Sequence, residues 1–237
     1  MTRHVETVDI TKSYDGLLAL DRVSIAADVG QITAVVGVNG AGKTTLLNIL
    51  AGIDAPTSGR VLIQGHEVDT NGLRTHCTMV FSRNLMFRNS VYENIAYGLR
   101  ISRTSDRDVP AKVASALALV NLEEFEKRNA RKLSSGEQRR VAIARVLALE
   151  RDVLLFDEPT ANLDPANAMI IERAIKESAR SRAVLLSTHD LSQARRLSDR
   201  IAHLYKGRVV EEADPSRFFT NPRHEATKLF IDGELEF

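Results

Sequence analysis

The sequence has no tryptophan and one cysteine, Cys77, among its 237 residues. A single cysteine excludes an internal disulfide framework and fits a reducing compartment, where Cys77 is expected to be a small apolar core residue. No stretch approaches the roughly 18 apolar residues that a membrane-spanning helix needs. The opening residues Met1–Ile10 also lack the apolar segment of a signal peptide. We therefore predict a soluble, cytoplasmic chain that another protein would hold at any membrane.

An excess of charge of one sign is also missing. The chain has 32 Lys and Arg residues against 31 Asp and Glu residues, a formal net charge of +1. A strongly basic nucleic-acid binder would show an excess of positive charge, so this balance argues against a nucleic-acid partner. Internal repeats and low-complexity segments are absent as well. The length suits one globular unit with a subdomain.

Strand and helix patterns alternate along most of the chain, which predicts an α/β fold with a mainly parallel sheet. Strand signals nearly vanish between residues 86 and 150, so we predict a helical subdomain there, inserted into a core of residues 1–85 and 151–237. The predicted strands are Val5–Ile10, Val23–Ala27, Gln31–Val36, Arg60–Gln64, Thr78–Phe81, Asp152–Phe156, Ala183–Ser187, Ile201–Tyr205 and Arg208–Glu211, with a turn at Pro56–Gly59. The predicted helices are Thr44–Ala51, Ser90–Leu99, Glu137–Glu150, a helix through Val109–Val120, and Pro165–Ala179.

The strongest motif is a glycine-rich loop, Gly37-Val-Asn-Gly-Ala-Gly-Lys-Thr44, which matches G-x-x-x-x-G-K-[ST] between a predicted strand and a predicted helix. Its glycines let backbone N–H groups point at phosphate oxygens, and the next helix adds its positive end. Lys43 is predicted to reach the β- and γ-phosphates, and the Thr44 hydroxyl to bind Mg²⁺. The predicted phosphate contacts come from Gly37, Asn39, Gly40, Ala41, Gly42, Lys43, Thr44 and Thr45.

A second motif is the run Val153-Leu-Leu-Phe-Asp-Glu158, in which four apolar residues end in two carboxylates. Acids at the carboxyl end of a buried strand lie where open α/β sheets bind their ligands. Asp157 is predicted to hold Mg²⁺, and Glu158 to act as the general base for an attacking water.

Leu133-Ser-Ser-Gly-Glu-Gln138 resembles the signature sequence of the ATP-binding cassette (ABC) transporter ATPases, and it precedes the acidic strand as in that family. The alternative interpretation is an ordinary helix cap with Glu137 in the first turn. Together with the phosphate loop, the motif identifies the chain as similar to this family from Val5 to about Phe219. The resemblance implies a P-loop NTPase core of the RecA-like kind, an N-terminal antiparallel β subdomain and an inserted helical subdomain.

The same resemblance assigns further site residues. Ala161–Asp164 resembles the loop that runs between two nucleotide sites, and Ser187–Asp190 resembles the switch whose histidine, here His189, touches the γ-phosphate. Tyr14 matches the aromatic residue that stacks on adenine, although a tyrosine at a strand end is usually a packing residue. The residues implied to contact ATP beyond the phosphate loop are Tyr14, Ser134, Ser135, Gly136, Gln138 and Asp164, and the residues implied to act in catalysis are Lys43, Glu158 and His189.

Two positions depart from the family pattern. Ser82 stands where most members carry a glutamine that contacts the metal and the attacking water. Ser82 is still assigned to the metal site, but serine is too short for the same reach, so we predict slower or less tightly coupled hydrolysis. A bridging water could complete its contact, and Asn84 is a possible substitute. Ser135 replaces the usual first glycine of the signature pair, which adds a side chain near the nucleotide.

The resemblance implies a head-to-tail dimer in which one chain's phosphate loop binds ATP and the partner's signature covers it, with closure coupled to hydrolysis. It further implies a membrane permease as partner, a solute-binding protein acting indirectly, and a peripheral position on the inner face of the membrane. The permease is expected to contact Ser82–Leu99, including Phe87, Arg88, Ser90, Tyr92 and Glu93. The alternative interpretation of this segment is a helix cap and core without a partner.

Three functions remain open at this point. Ser90–Leu99 resembles bacterial importers, and the tail segments Phe218–Arg223 and Phe230–Glu234 resemble importers of phosphate, tungstate or molybdate, with polar amino acid importers next. A mechanotransmitter of a membrane complex that moves no solute would carry the same motifs. An ABC protein acting on ribosomes or DNA is disfavoured, because the chain has one cassette and no long coiled-coil insertion.

Overall fold

The computed structural model describes residues 4–234. Its strands are β1 (Val5–Tyr14), β2 (Leu17–Val23), β3 (Ala26–Ala27), β4 (Ile32–Val36), β5 (Ser58–Ile63), β6 (His66–Val68), β7 (Cys77–Val80), β8 (Val153–Asp157), β9 (Ala183–Thr188), β10 (Arg200–Tyr205) and β11 (Arg208–Ala213). Its α-helices are α1 (Lys43–Leu50), α2 (Thr70–His76), α3 (Val91–Ile101), α4 (Val109–Leu119), α5 (Ser135–Leu147), α6 (Pro165–Ala179), α7 (Leu191–Leu197), α8 (Pro215–Thr220) and α9 (Glu225–Asp232). Short 3₁₀ turns lie at Glu123–Phe125 and Ala130–Lys132.

A mainly parallel sheet carries the strands that precede the predicted site. Its order is β11-β10-β4-β9-β8-β7, and β10, β4, β9 and β8 run parallel to one another. Strands β4, β8 and β9 are buried along their whole lengths, as expected for apolar strands covered on both faces. The register places Val36 beside Thr188 and Asp157 beside Ser187, so the segments that follow these strands start at one edge. The predicted α/β class is confirmed.

A second, antiparallel sheet contains the N-terminal strands in the order β2-β1-β5-β6, with β3 pairing to β1. The prediction of one strand over Val23–Ala27 is wrong: β2 ends at Val23 and β3 spans only Ala26–Ala27, because the chain changes its pairing position along β1. The turn predicted at Pro56–Gly59 is also shorter than expected, since β5 begins at Ser58.

The chain divides into two compact units. The first contains the residues up to Met79, then Asp152–Glu158, and all described residues from Ala179 onward. The second contains Val80–Arg151 and Pro159–Ser178, so most of α6 groups with the helices rather than with the core segment 151–237 that the sequence suggested. The first unit is therefore smaller than the predicted core, and the second is larger than the predicted helical subdomain, because most of α6 groups with the helices.

In the second unit, α3, α4 and α5 bury apolar faces against one another. The fully buried residues there include Val91, Ile95, Leu99, Leu117, Val141 and Ile143. Within residues 4–234, no helix is both long enough and apolar enough to cross a bilayer.

Candidate functional site

The phosphate loop connects the buried strand β4 to helix α1 and requires glycine at two points. Gly37 and Gly42 have φ values of 153° and 108°, conformations that side chains disfavour. A Cβ at Gly37 would lie 2.2 Å from Leu204 O, and one at Gly42 would lie 2.7 Å from Ala19 O. Because the loop is pressed against backbone at both ends, only glycine fits there.

Lys43 is the first residue of α1 and is 6% exposed. Its Nζ donates to Gly37 O at 2.6 Å and to Val38 O at 3.1 Å, and it lies 3.9 Å from Glu158 Oε1. Burial lowers the pKa of Lys43, while the neighbouring Glu158 and Asp157 carboxylates oppose that shift. The amine is therefore held inside the loop, at the position from which a phosphate-binding lysine acts.

Thr44 and Asp157 supply oxygen ligands from two different elements. The Thr44 hydroxyl donates to Asp157 Oδ1 at 3.2 Å and to Oδ2 at 3.1 Å, and the Ser187 hydroxyl donates to Asp157 Oδ1 at 2.6 Å. A hydroxyl and a carboxylate side by side are hard oxygen donors, which Mg²⁺ prefers. The residues present therefore fit a magnesium ion that would also contact nucleotide phosphates.

Glu158 follows β8 in a left-handed backbone conformation, with φ of 48°. Non-glycine residues seldom adopt this conformation, and such residues cluster at functional sites. Its N–H donates to Ser187 O and to Ser187 Oγ, both at 3.2 Å, and its Oε2 lies 3.0 Å from His189 Nδ1. The carboxylate thus lies beside both a lysine and a histidine, as a base and a switch histidine would require.

Tyr14 ends strand β1 and is 42% exposed. Its hydroxyl donates to Asp54 Oδ2 at 2.5 Å, and Lys12 Nζ, which lies 4.8 Å from the ring centroid, donates to Asp54 Oδ1 at 2.7 Å. The hydrogen bond to Asp54 raises the pKa of Tyr14. The ring is therefore held by its hydroxyl with much of its surface open, which suits a stacking platform.

In the second unit, the signature lies at the start of α5 and forms a capping box. Ser134 Oγ accepts from Glu137 N at 3.3 Å, and Ser134 N donates to Glu137 Oε2 at 2.7 Å. Gln138 Nε2 donates to Leu133 O at 3.0 Å. The capping interpretation is correct for Ser134, and it leaves Ser135 and Gly136 as the first residues of a helix whose positive end suits an anion.

Asn167 bonds to the loop that contains Asp164 and packs against Gly136 of the signature. Asp164 accepts from Asn167 N at 2.9 Å and from Asn167 Nδ2 at 2.6 Å, so its side chain caps the start of α6. A Cβ added at Gly136 would lie 2.7 Å from Asn167 Nδ2. Gly136 is therefore a position where the signature and the start of α6 pack too closely for a side chain.

Ser82 and Asn84 lie in the irregular segment between β7 and α3. Ser82 is exposed, whereas Asn84 is half-buried. The Asn84 amide donates to Ser135 O at 3.3 Å and accepts from Arg139 Nη1 at 3.4 Å. Asn84 is thus engaged with the signature helix, so its suggested use as a metal contact competes with bonds that it already makes.

Comparison with known proteins decides the family. The family model for ABC transporters matches residues 20–161, more than half of the chain. The chain belongs to the ABC transporter ATPase family. It is therefore an ATP-binding ATPase, as the phosphate loop and the acidic strand predicted.

Relatives of this ABC ATPase align over nearly all of its length. It is 37% identical to a phosphate import ATP-binding protein, PstB 2, of Natronomonas pharaonis, covering 99% of this chain and 88% of the relative. It is 42% identical to the tungstate uptake system ATP-binding protein TupC of Peptoclostridium acidaminophilum, covering 86% and 95%. The solved structure of cbiO1 from Clostridium perfringens, part of the transporter complex cbiONQ, matches with a TM-score of 0.84 at 29% identity, covering 97% of this chain and 95% of that one.

The structure adds residues to this ABC site that the sequence did not single out for a role. Ser187 holds Asp157, and its place at the end of a strand parallel to β8 was the available signal. Asp54 anchors Tyr14 from 40 residues away, and nothing local to Asp54 marks it in the sequence. Arg139 is also new, because a side chain that binds the backbone of distant segments leaves no periodic pattern, and Asn167 is new as the partner of Asp164.

Proposed function

We propose that this ABC ATPase hydrolyses Mg-ATP with the residues described above in separate roles. Lys43 and the loop amides hold the phosphates, Thr44 and Asp157 hold Mg²⁺, and Ser187 keeps the Asp157 carboxylate in place. Magnesium, when bound, neutralises charge that develops on the phosphate oxygens. The Glu158 carboxylate, 3.0 Å from His189, accepts a proton from water, and His189 holds that carboxylate in orientation. This cluster of Lys43, Thr44, Asp157 and Glu158 is the observation that supports the proposal.

We further propose that two such chains pair head to tail around ATP. The supporting feature is the start of α5, where Ser135 is exposed and the capping box binds the N–H groups of Ser134 and Glu137. A helix terminus of this kind favours an anion. The signature is therefore proposed to cover the phosphate bound by a partner copy, with Ser134, Ser135, Gly136, Gln138 and Asp164 on the covering side.

A membrane permease is the proposed partner of the segment Ser82–Leu99 together with the rest of α3. Several large apolar side chains there are open to solvent, including Leu85 at 71%, Tyr97 at 50% and Ile101 at 65% exposure. The Phe87 and Tyr97 rings pack at 4.8 Å between centroids, so the exposed apolar surface is continuous there. Exposed apolar patches of this kind mark protein interaction sites. This partner would hold the chain at the inner face of the membrane.

We propose an imported oxyanion, such as phosphate, tungstate or molybdate, as the solute. The relatives named for phosphate and tungstate import support this proposal, while a methionine import ATP-binding protein of Pasteurella multocida is also 38% identical over 94% of this chain. A solute-binding protein would then deliver the oxyanion to the permease.

The test is to delete the gene for this chain in its host and to measure solute uptake. Phosphate and amino acid uptake are measured with labelled solutes, and tungstate and molybdate uptake by elemental mass spectrometry. Loss of one oxyanion, restored by the wild-type gene but not by Lys43→Met, supports the proposal. Lys176→Met, a change at an exposed helix position, is the matched control and should restore uptake. Loss of amino acid uptake alone would replace the proposed solute, and unchanged uptake of every solute would favour the mechanotransmitter.

A further inference from the structure

Arg139 lies in the second turn of the signature helix α5 and is 3% exposed. A buried guanidinium stays charged and is tolerated only where hydrogen bonds compensate its lost hydration. Arg139 Nε donates to Pro159 O at 2.8 Å, and Nη1 donates to Phe81 O and, at 3.4 Å, to Asn84 Oδ1. One side chain therefore holds two other chain segments against the helix that carries the signature.

The positions of these acceptors in the sequence give the contacts a functional meaning. Phe81 directly precedes Ser82, the residue that stands in place of the family glutamine, and Pro159 directly follows Glu158. Asn84 also joins this segment to the signature, because its Nδ2 donates to Ser135 O at 3.3 Å. The signature is thus connected to the backbone beside each of two positions on which hydrolysis depends.

We propose that Arg139 and Asn84 are positioning residues for ATP hydrolysis in this chain. Ser82 is too short to contact the metal and the attacking water as a glutamine does. Another contact must therefore couple the segment Phe81–Asn84 to nucleotide binding. The hydrogen bonds to Ser135 and Arg139 make the position of this segment follow the position of the signature. The bond from Arg139 to Pro159 O makes the peptide after Glu158 follow it as well. This inference rests on the proposed function.

The neighbouring arginine of α5 makes contacts of a different kind. Arg140 Nη1 donates to Val120 O and Asn121 O, both at 3.0 Å, so it binds the end of α4 and no segment next to a catalytic position. Arg139→Met keeps much of the apolar volume but leaves the Pro159 and Phe81 carbonyls without this donor, so its thermal unfolding must be measured beside its activity. Arg140→Met also removes a guanidinium that binds two carbonyls, so it is the matched control.

The test compares steady-state ATP hydrolysis and thermal unfolding of the full chain with Arg139→Met, Arg139→Lys, Asn84→Ala and Arg140→Met. We expect Arg139→Met to lower kcat about 100-fold, the effect of a small misplacement at a reacting group, with KM for ATP changed less than about 2-fold. Arg139→Lys keeps the charge without the forked donors, so it should stay at least about 10-fold below wild type. Asn84→Ala should lower kcat in the same direction without a change in Tm.

With an active wild type, any of three results would overturn the inference and leave the proposed function standing. These are normal kcat in both Arg139→Met and Asn84→Ala, an equal loss of kcat in Arg140→Met, and full activity in Arg139→Lys. If Arg139→Met fails to fold, Asn84→Ala decides, because its normal kcat also overturns the inference. A wild type without ATPase activity, or Glu158→Gln with full activity, would overturn the proposed function together with the inference.

Discussion

The Thr44 hydroxyl lies within 3.2 Å of both carboxylate oxygens of Asp157, although 113 residues separate the two in the chain. The contact brings the start of α1 to the end of β8, two elements that the parallel sheet places at one edge. Both side chains present oxygen at the same point. These oxygens are the ligands proposed for magnesium.

Asp157→Asn should therefore remove metal-dependent activity while leaving nucleotide binding. The amide keeps the shape but loses the charge, so kcat in saturating Mg²⁺ is expected to fall at least about 100-fold, in line with the several kcal/mol that a metal contributes. Binding of a fluorescent ATP analogue in EDTA should change little, because Lys43 and the loop amides remain. A variant that keeps its magnesium dependence would contradict the assignment.

Two glycines of the phosphate loop should differ sharply in their tolerance of alanine. Both have positive φ, which costs a side chain about 1–2 kcal/mol. At Gly40 an added Cβ would meet nothing within 4 Å, whereas at Gly42 it would lie 2.7 Å from Ala19 O and 2.8 Å from Leu20 Cδ2. The free energy of unfolding, measured with denaturant, should fall in Gly40→Ala by about the backbone strain alone and in Gly42→Ala by clearly more. Equal losses would mean that the clash at Gly42 relaxes freely.

A buried histidine predicts acid sensitivity. His203 is 0% exposed, stacks on Phe230 at 4.7 Å and lies 2.9 Å from Thr227 Oγ1 through Nδ1. Burial lowers the pKa of His203 from 6.5 to about 4, with His224 and Lys43 opposing its charge and Glu211 favouring it.

As pH falls, the unfolded chain binds this proton before the folded chain does. The contribution of His203 to the free energy of unfolding is therefore fully present above about pH 6.5 and is lost as pH falls toward 4, by about 3 kcal/mol in total. The free energy of unfolding of wild type and His203→Gln should be compared at pH 7.5 and 5. The variant is expected to lose this part of the pH dependence. An unchanged slope would show that His203 is not the group responsible.

Ser82→Gln should speed hydrolysis. If a bridging water now substitutes for the longer side chain, removing its immobilisation cost of up to about 2 kcal/mol predicts a rise in kcat between about 2-fold and 30-fold. Ser181→Gln, at an exposed turn, is the control. Steady-state ATPase assays decide: activity equal to wild type would remove Ser82 as the cause of slow turnover.

Local sequence was enough to predict the strand–loop–helix around Lys43, because its glycine spacing and flanking apolar run determine backbone and function together. It also placed α6 at Pro165–Ala179, where a cap and a proline mark the start. Short helices such as α7 and α8 were not predicted, since their few turns carry no measurable period. The anchor of Tyr14 at Asp54 and the contacts of Arg139 depend on tertiary packing between distant segments, which periodicity and motif spacing do not encode.

The most direct test of the account is the solution mass of Glu158→Gln with and without Mg-ATP. Removing the base while keeping the phosphate loop and the signature should trap ATP unhydrolysed between two chains. We expect a monomer without nucleotide and a dimer with Mg-ATP, and no dimer when Lys43→Met is added. A chain that binds Mg-ATP yet stays monomeric would contradict the proposal that the signature of one copy covers the nucleotide of another.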